Sequence, residues 1–294
     1  GGLRQRQSGS GITGMTEWNA GRLLEVSGSY WQACTLHAGV KLDIFSMIEA
    51  GNAGAEKIAE HLPSDVRGTA ALLNALAAMG LIEKTGEQYV NTPFSRNFLV
   101  KDSPQYIGYM VMHHHHLVEA WARLDQAVIS GRPVRERRHP DPGERESFLM
   151  GMFNMAMGIA PRLPGIIDLK GRGHLLDLGG GPGTYAIHFC LANPGLRATV
   201  ADLPTSRPFA EKTISRFGLS DRIAFVPCNY LQDDVPGTYD VAWLSHVLHG
   251  EGPDECQMII NKTVSTLSPG GVMLIHDFIL NDTCLLYTSD AADE

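Results

Sequence analysis

HLLDLGGGPGTYAI, residues 174–187, is the stretch on which the reading of this chain turns. A buried strand ends abruptly in Gly179-Gly180-Gly181-Pro182-Gly183, and a helix is expected to begin near Thr184. Glycines in such a turn let a ligand come close to the backbone, because no Cβ stands in the way. The free N–H groups of the helix N-terminus face the same crevice. In an open α/β sheet, ligands bind in that crevice, at the carboxyl ends of the strands. The turn alone does not select the ligand. The dinucleotide pattern GxGxxG fails from Gly179, since Thr184 holds its last position, yet Gly181-x-Gly183-x-x-Ala186 fits the looser form. A methyl donor, a dinucleotide and a purely structural turn all stay open here. Asp202 closes the next strand, and its carboxylate is placed to accept the hydroxyl hydrogens of an adenosine ribose, which either cofactor would offer. The plain alternative is a solvated strand-end acid.

Outward from this stretch, apolar β-rich runs alternate with helical ones. The strands expected are 174–179, 196–203, 222–228, 239–248 and 271–280, an alternation that implies βαβ units and a mostly parallel sheet. The pattern divides at GRPVRERRHPDPGERE (131–146), where charge and proline displace any apolar period. Before it the chain reads helical. Within that half, AEKIAEHL (55–62), SDVRGTAALLNALAAMGLIEK (64–84) and EQYVNT (87–92) read as helix, helix and wing, with Ser64 as N-cap and Gly80 ending the second helix. Winged helices often bind DNA, but residues 51–92 hold five acids (Glu56, Glu60, Asp65, Glu83, Glu87) against three bases (Lys57, Arg67, Lys84). The helix that would read a groove carries only Arg67 and is otherwise rich in alanine and leucine, where phosphates and base edges demand polar and basic side chains. Scaffold or dimer use fits it better. The formal charge of -8 points the same way, so no nucleic-acid partner is expected.

The 294 residues suffice for two domains, and 44% apolar with 19% charged residues is a globular balance. No run approaches the roughly 18 apolar residues of a membrane span, so no membrane partner is expected. Five scattered cysteines without a CxxC pair argue against a disulfide framework or structural zinc and fit a cytoplasmic location. Residues 1–14 lack the apolar core of a secretion signal and read as a disordered leader, with Met15 as the expected start.

After the fourth expected strand comes SHVLHGEGPDE (245–255), and LSPGGVMLIHDFIL (267–280) supplies a turn and the fifth. LLDLGGGPGT, VADLP, NYLQDDVPGTYDVAWLSHVLH and LSPGGVMLIHDFIL, in this order, resemble the small-molecule O-methyltransferases, the group of plant phenolic, hydroxyindole and bacterial polyketide enzymes. The first half resembles them too, in MGLIEKTGEQYVNT and in the spacing of Trp121, Leu124, Val128 and Gly131. The resemblance runs from about residue 20 to about 282, and the joint order of motifs is more specific than any one of them. It implies an α/β, Rossmann-like class I methyltransferase domain over 166–282, its C-terminal strands missing. It implies an all-helical winged-helix dimerisation domain over 15–130, and a linker with a pocket-lining helix over 131–165. The implied cofactor is S-adenosylmethionine, the acceptor a small hydroxylated, aromatic or polyketide-like molecule, and the assembly a homodimer through the N-terminal domain.

Carried onto this sequence, the resemblance makes His249 the catalytic base and Asp277 the acid beside it. The chemistry agrees: the methyl of a sulfonium is already activated, so the hydroxyl needs its proton removed, and an imidazole suits that near neutral pH. A carboxylate on the other ring nitrogen would fix the tautomer. The family more often has glutamate at the position of Asp277, so the shorter side chain must approach more closely. Gly179, Gly180, Gly181, Gly183, Asp202 and Leu203 are expected at the cofactor. Asn229 stands where aspartate is common, beside Tyr230, at the adenine end, and Ser245 where plant members carry lysine. His246 is a neighbour of the base, and His276 is expected on the opposite face from Asp277. Phe148 and Met152, beside and in the Met-rich run 150–157, His116 and His246 are expected in the acceptor pocket. The tetrad His113–His116 makes a poor metal site, because consecutive helical residues point about 100° apart and only the outer two share a face. No metal is expected. The tail TCLLYTSDAADE (283–294) resembles no part of the family's continuation and is read as non-native, leaving the fifth strand an open edge. Two other readings are kept: the same fold and cofactor with hydroxylase- or decarboxylase-like chemistry, and a non-catalytic winged-helix regulator.

Overall fold

The computed structural model describes residues 18–132, 134 and 142–278. The expected leader and the expected non-native tail lie outside these residues. The N-terminal half runs α1 (Ala20–Gly28), α2 (Tyr30–Lys41), α3 (Ile44–Glu49), α4 (Ala55–His61), α5 (Val66–Ala78), then strands β1 (Ile82–Thr85) and β2 (Gln88–Asn91), followed by α6 (Pro93–Phe98), α7 (Gly108–Trp121) and α8 (Leu124–Ser130). The half is not all-helical: β1 and β2 form an antiparallel wing, closed by Gly86 at φ +61. Asp65, not Ser64, caps α5, its carboxylate accepting the Gly68 N–H at 2.7 Å. Both residue types suit the position, and the backbone turns one residue later than expected. The apolar face of α5 is spent inside, since Leu73 and Leu76 are buried with Phe45, Ile58 and Tyr89.

Helix α9 (Pro142–Met157) follows and joins the halves. On one side it lies against α7, where Phe148 meets the His113 ring at 5.3 Å and Asn154 donates to the Tyr106 carbonyl at 2.8 Å. Gly151 permits the approach, for a Cβ there would sit 3.2 Å from the Met110 Cα. On the other side Arg145 donates to the Thr205 hydroxyl at 2.6 Å.

The second half is β3 (His174–Leu178), α10 (Thr184–Ala192), β4 (Arg197–Asp202), α11 (Arg207–Arg216), β5 (Ile223–Pro227), β6 (Tyr239–Ser245), α12 (Pro253–Ser265) and β7 (Leu267–His276). Its five strands are all parallel, in the order β5-β4-β3-β6-β7. Both faces are buried, one by a cluster around Trp243, Phe189 and Ile214, the other around Leu176, Leu244 and Ile259. That is why the strands read as apolar runs rather than alternating ones. β6 stops at Ser245, three residues earlier than expected, because His246 turns to φ +55. The chain leaves β3 toward β4 on one side and returns to β6 on the other. The carboxyl end of β3 is therefore the switch point at which a doubly wound sheet opens a crevice.

Candidate active site

The glycine turn sits at that switch point. Gly179, Gly181 and Gly183 have φ of +66, +48 and +77, a region costly for residues with a Cβ. Space is short as well. A Cβ on Gly179 would lie 2.7 Å from Val247 Cγ2, and one on Gly180 would lie 2.6 Å from the Asp177 carboxyl carbon. The glycines thus serve the backbone and its packing as much as ligand access. Asp202 closes the turn, its Oδ2 accepting the Gly181 N–H at 2.7 Å and its Oδ1 the Leu203 N–H and the Ser206 hydroxyl. Three of a carboxylate's roughly four acceptor positions are filled, which leaves one for a ligand hydroxyl.

Asp177 was not singled out from the sequence. It is buried at the end of β3, and its Oδ2 accepts the Ala186 N–H in the first turn of α10. Burial pushes its carboxyl up to about 7, and the charge of nearby Asp202 adds to the rise. Burial raises Asp202 too, against the hydrogen bonds it accepts. The sequence signal was an acid inside an apolar strand, a residue seldom buried without purpose. Two acids flanking Gly180 and Gly181 suit a ligand that brings positive charge. The residues present fit the adenosine ribose and the cationic end of S-adenosylmethionine, with Asp202 keeping one acceptor position for a ribose hydroxyl.

The loop that carries the candidate base His249 is built on the same edge. Asp277 follows β7, and its Oδ2 accepts the backbone N–H groups of Leu248 at 2.9 Å and Val247 at 3.2 Å. Its Oδ1 lies 2.9 Å from His249 Nδ1. Aspartate is long enough here because the loop is drawn down onto it. Burial works to raise the Asp277 carboxyl, but the Leu248 and Phe278 N–H groups and His249 together hold it below the usual carboxylate range. An ionised Oδ1 only accepts, so Nδ1 carries the ring proton and Nε2 keeps its lone pair. His246 contacts the rings of His249 and Phe278 at 5.8 and 4.9 Å. Val247, between the two histidines, is the residue that touches Gly179.

The remaining expected residues divide among three places. Tyr230 lies beside Gly179, with Cε1 3.7 Å from its would-be Cβ, and the Asn229 side-chain Oδ1 accepts the Leu231 N–H at 3.1 Å. Ser245 hydrogen-bonds His276 Nδ1 at 2.9 Å, on the face where His276 stacks over Trp243, so its hydroxyl is engaged away from Asp277. Phe148 and His116 belong to the seam between α7 and α9, where His116 meets Glu144 at 3.5 Å, and Met152 is half-buried on α9. The histidine tetrad is shared out: His113 and His116 face α9, whereas His115 Nε2 meets Lys41 Nζ of α2 at 3.0 Å.

Comparison with known proteins decides the class. Residues 115–286 match the O-methyltransferase domain and residues 24–101 the O-methyltransferase dimerisation domain. The chain belongs to the O-methyltransferase family. It is 31% identical to a 3-hydroxy-5-methyl-1-naphthoate 3-O-methyltransferase of Streptomyces sahachiroi, over 88% of this chain and 77% of that one. It is 29% identical to the tetracenomycin polyketide synthesis 8-O-methyl transferase of Streptomyces glaucescens, over 89% and 79%. An O-methyltransferase family protein from Burkholderia thailandensis superimposes with a TM-score of 0.79 at 28% identity, covering 91% and 82%. The protein is an S-adenosylmethionine-dependent O-methyltransferase with a Rossmann-like domain and an N-terminal dimerisation domain. Among the described residues, no helix is long and apolar enough to cross a membrane.

Proposed function

We propose that this methyltransferase methylates a phenolic hydroxyl of an aromatic polyketide-type molecule, with His249 as general base and Asp277 as its orienting acid. The observation that carries the proposal is the contact of Val247 with Gly179, which joins the base loop directly to the donor turn. Two residues on, His249 presents Nε2 with its lone pair, since Nδ1 is committed to Asp277. With a donor bound, Nε2 would take the hydroxyl proton as the acceptor oxygen receives the methyl, and Asp277 would stabilise the imidazolium. The turn 179–183, Asp202, Leu203, Asn229 and Tyr230 hold the donor, whose bound form supplies the activated methyl. The His246 and Phe278 rings beside the base offer a flat apolar wall for an aromatic acceptor, and the acceptor names of the naphthoate and tetracenomycin relatives support that class.

The homodimer forms through the N-terminal domain on this reading. Leu23, Leu24, Tyr30 and Trp31 of α1 and α2 are all more than half exposed, and an apolar groove of ≈ 540 Å³ runs between α2 and α7. Exposed apolar surface on this scale marks an interface.

The test is a panel of hydroxylated naphthoates and anthraquinones with radiolabelled donor. Wild type is expected to methylate at least one of them, and His249→Ala to lose about 10²–10⁴ in kcat while calorimetric donor affinity stays within about threefold. A variant rate within tenfold of wild type would remove His249 as the base.

A further inference from the structure

The three side chains at the base carry a second chemistry. His246, His249 and Asp277 each offer a ligand atom, and the three atoms lie within 4.8 Å of one another. We propose that they form a binding site for a borderline divalent cation of the Zn²⁺ class, which occupies the place of the hydrogen-bond proton between His249 and Asp277.

The placement comes from the backbone. Ser245 of β6 pairs with His276 of β7, so His246 and Asp277 stand on the next rung at the ends of two adjacent parallel strands. The left-handed turn at His246, with its N–H held by the His276 carbonyl at 2.9 Å, keeps the imidazole beside His249 rather than running it on along the strand. The third ligand is held from the opposite direction, because the Leu248 and Val247 N–H groups fix the loop to Asp277 Oδ2 and leave Oδ1 turned to His249 Nδ1.

The donor set then selects the ion. Two imidazoles and one carboxylate suit Zn²⁺ or Co²⁺ and not the all-oxygen preference of Mg²⁺ or Ca²⁺. Zinc bonds of about 2.0–2.2 Å set tetrahedral ligands roughly 3.3–3.6 Å apart. The His249–Asp277 pair at 2.9 Å has to open slightly, and His246 has to close by no more than roughly 1.5 Å, which side-chain rotation provides. Binding at Nδ1 shifts the single ring proton to Nε2 by exchange through solvent, with no net proton released, and water or an acceptor oxygen completes the coordination. An ion held there removes the lone pair on which proton abstraction depends. The site stands independently of the function proposed above, and its effect on rate rests on it.

The test uses tag-free, chelator-washed full-length protein titrated with Co²⁺, followed by displacement with Zn²⁺. Wild type is expected to bind one Co²⁺ per chain with a ligand-field band of tetrahedral intensity that Zn²⁺ abolishes. His246→Gln and Asp277→Asn should each weaken binding at least tenfold, with circular dichroism and donor affinity confirming that both variants fold. A wild type without the band would overturn the site. So would a band equally strong in both variants, which would point to the His113–His116 tetrad, or a sulfur-to-cobalt charge-transfer band, which would point to the cysteines. Cobalt binding that follows the variants but leaves methyl transfer intact would uphold the site and count against His249 as the base.

Discussion

Replacing Asp277 by asparagine tests how much of the chemistry one carboxylate supports. Its Oδ1 accepts from His249 Nδ1 and the Phe278 N–H, each at 2.9 Å, and its Oδ2 from the Leu248 and Val247 N–H groups. An amide has one oxygen and one NH₂, so some donors must face a donor. With the oxygen at Oδ1, two loop N–H groups are orphaned; with the oxygen at Oδ2, only that of Phe278 is. An orphaned N–H shielded from water costs about 1–3 kcal/mol; the loop N–H groups are part-buried and that of Phe278 is exposed, so the second arrangement wins. The NH₂ then points at His249 Nδ1, which has to accept, and the ring proton moves to Nε2, where the base needs its lone pair. Losing a general base costs about 10²–10⁴ in rate, and the lower bound corresponds to roughly 2.7 kcal/mol of barrier. Steady-state methyl transfer should therefore show kcat down at least a hundredfold, with donor affinity changed less than about threefold. Nitrogen-15 shifts of the histidine should show the tautomer inverted. Asp277→Glu should recover part of the rate, because it keeps two acceptor oxygens. A variant with kcat within about threefold of wild type and an unchanged tautomer would refute the reasoning.

Asp177→Asn should flatten the pH dependence of stability. The native carboxyl at about 7 lies above the ordinary 3.8, so the native state holds the proton more tightly than the unfolded chain. Its stabilisation is complete below about pH 4 and is lost as pH rises through about 7, by up to roughly 4 kcal/mol. Urea melts between pH 4.5 and 8 should show wild type losing stability relative to the variant, and parallel profiles would contradict this. Gly179→Ala must take up φ +66 and press a methyl against Val247. It should lower stability by about 1–3 kcal/mol and weaken donor binding and kcat together, checked by melting, calorimetry and rate. Trp31→Glu, on an exposed apolar face, should shift the protein toward monomer in sedimentation equilibrium.

Much of this could be read from residue order alone, and the exceptions share a cause. The glycine turn, Asp202 and the strand alternation depend on local periods and turn chemistry, which the sequence displays directly. Cap choice between Ser64 and Asp65 did not, because adjacent residues offer the same oxygen and only the backbone angle decides. The end of β6 is hidden for a related reason: the apolar run continues through Leu248, but a left-handed His246 ends the strand at Ser245 and turns Val247 onto Gly179. The partners of the histidine tetrad come from α2 and α9, far away in the chain. The Ser245 hydroxyl meets His276 on a neighbouring strand, a partner that residue order does not display. Asp177 was visible as an acid in an apolar strand, yet its link to the turn exists only after Gly180 has folded over it.

Val247 joins the glycine turn to the loop of the proposed base. Its side chain fills the space a residue larger than glycine would need at 179, and its N–H is held by the carboxylate that also holds His249. Donor turn and base are thus fixed to each other by one van der Waals contact and one shared acceptor, across the ends of β3, β6 and β7, rather than by a free loop. Positioning of that kind contributes to rate because a displacement of about an ångström between the reacting groups can cost a hundredfold. A methyl transfer needs its acceptor oxygen aligned with the donor, so with His249 as the proposed base this short link serves the reaction directly.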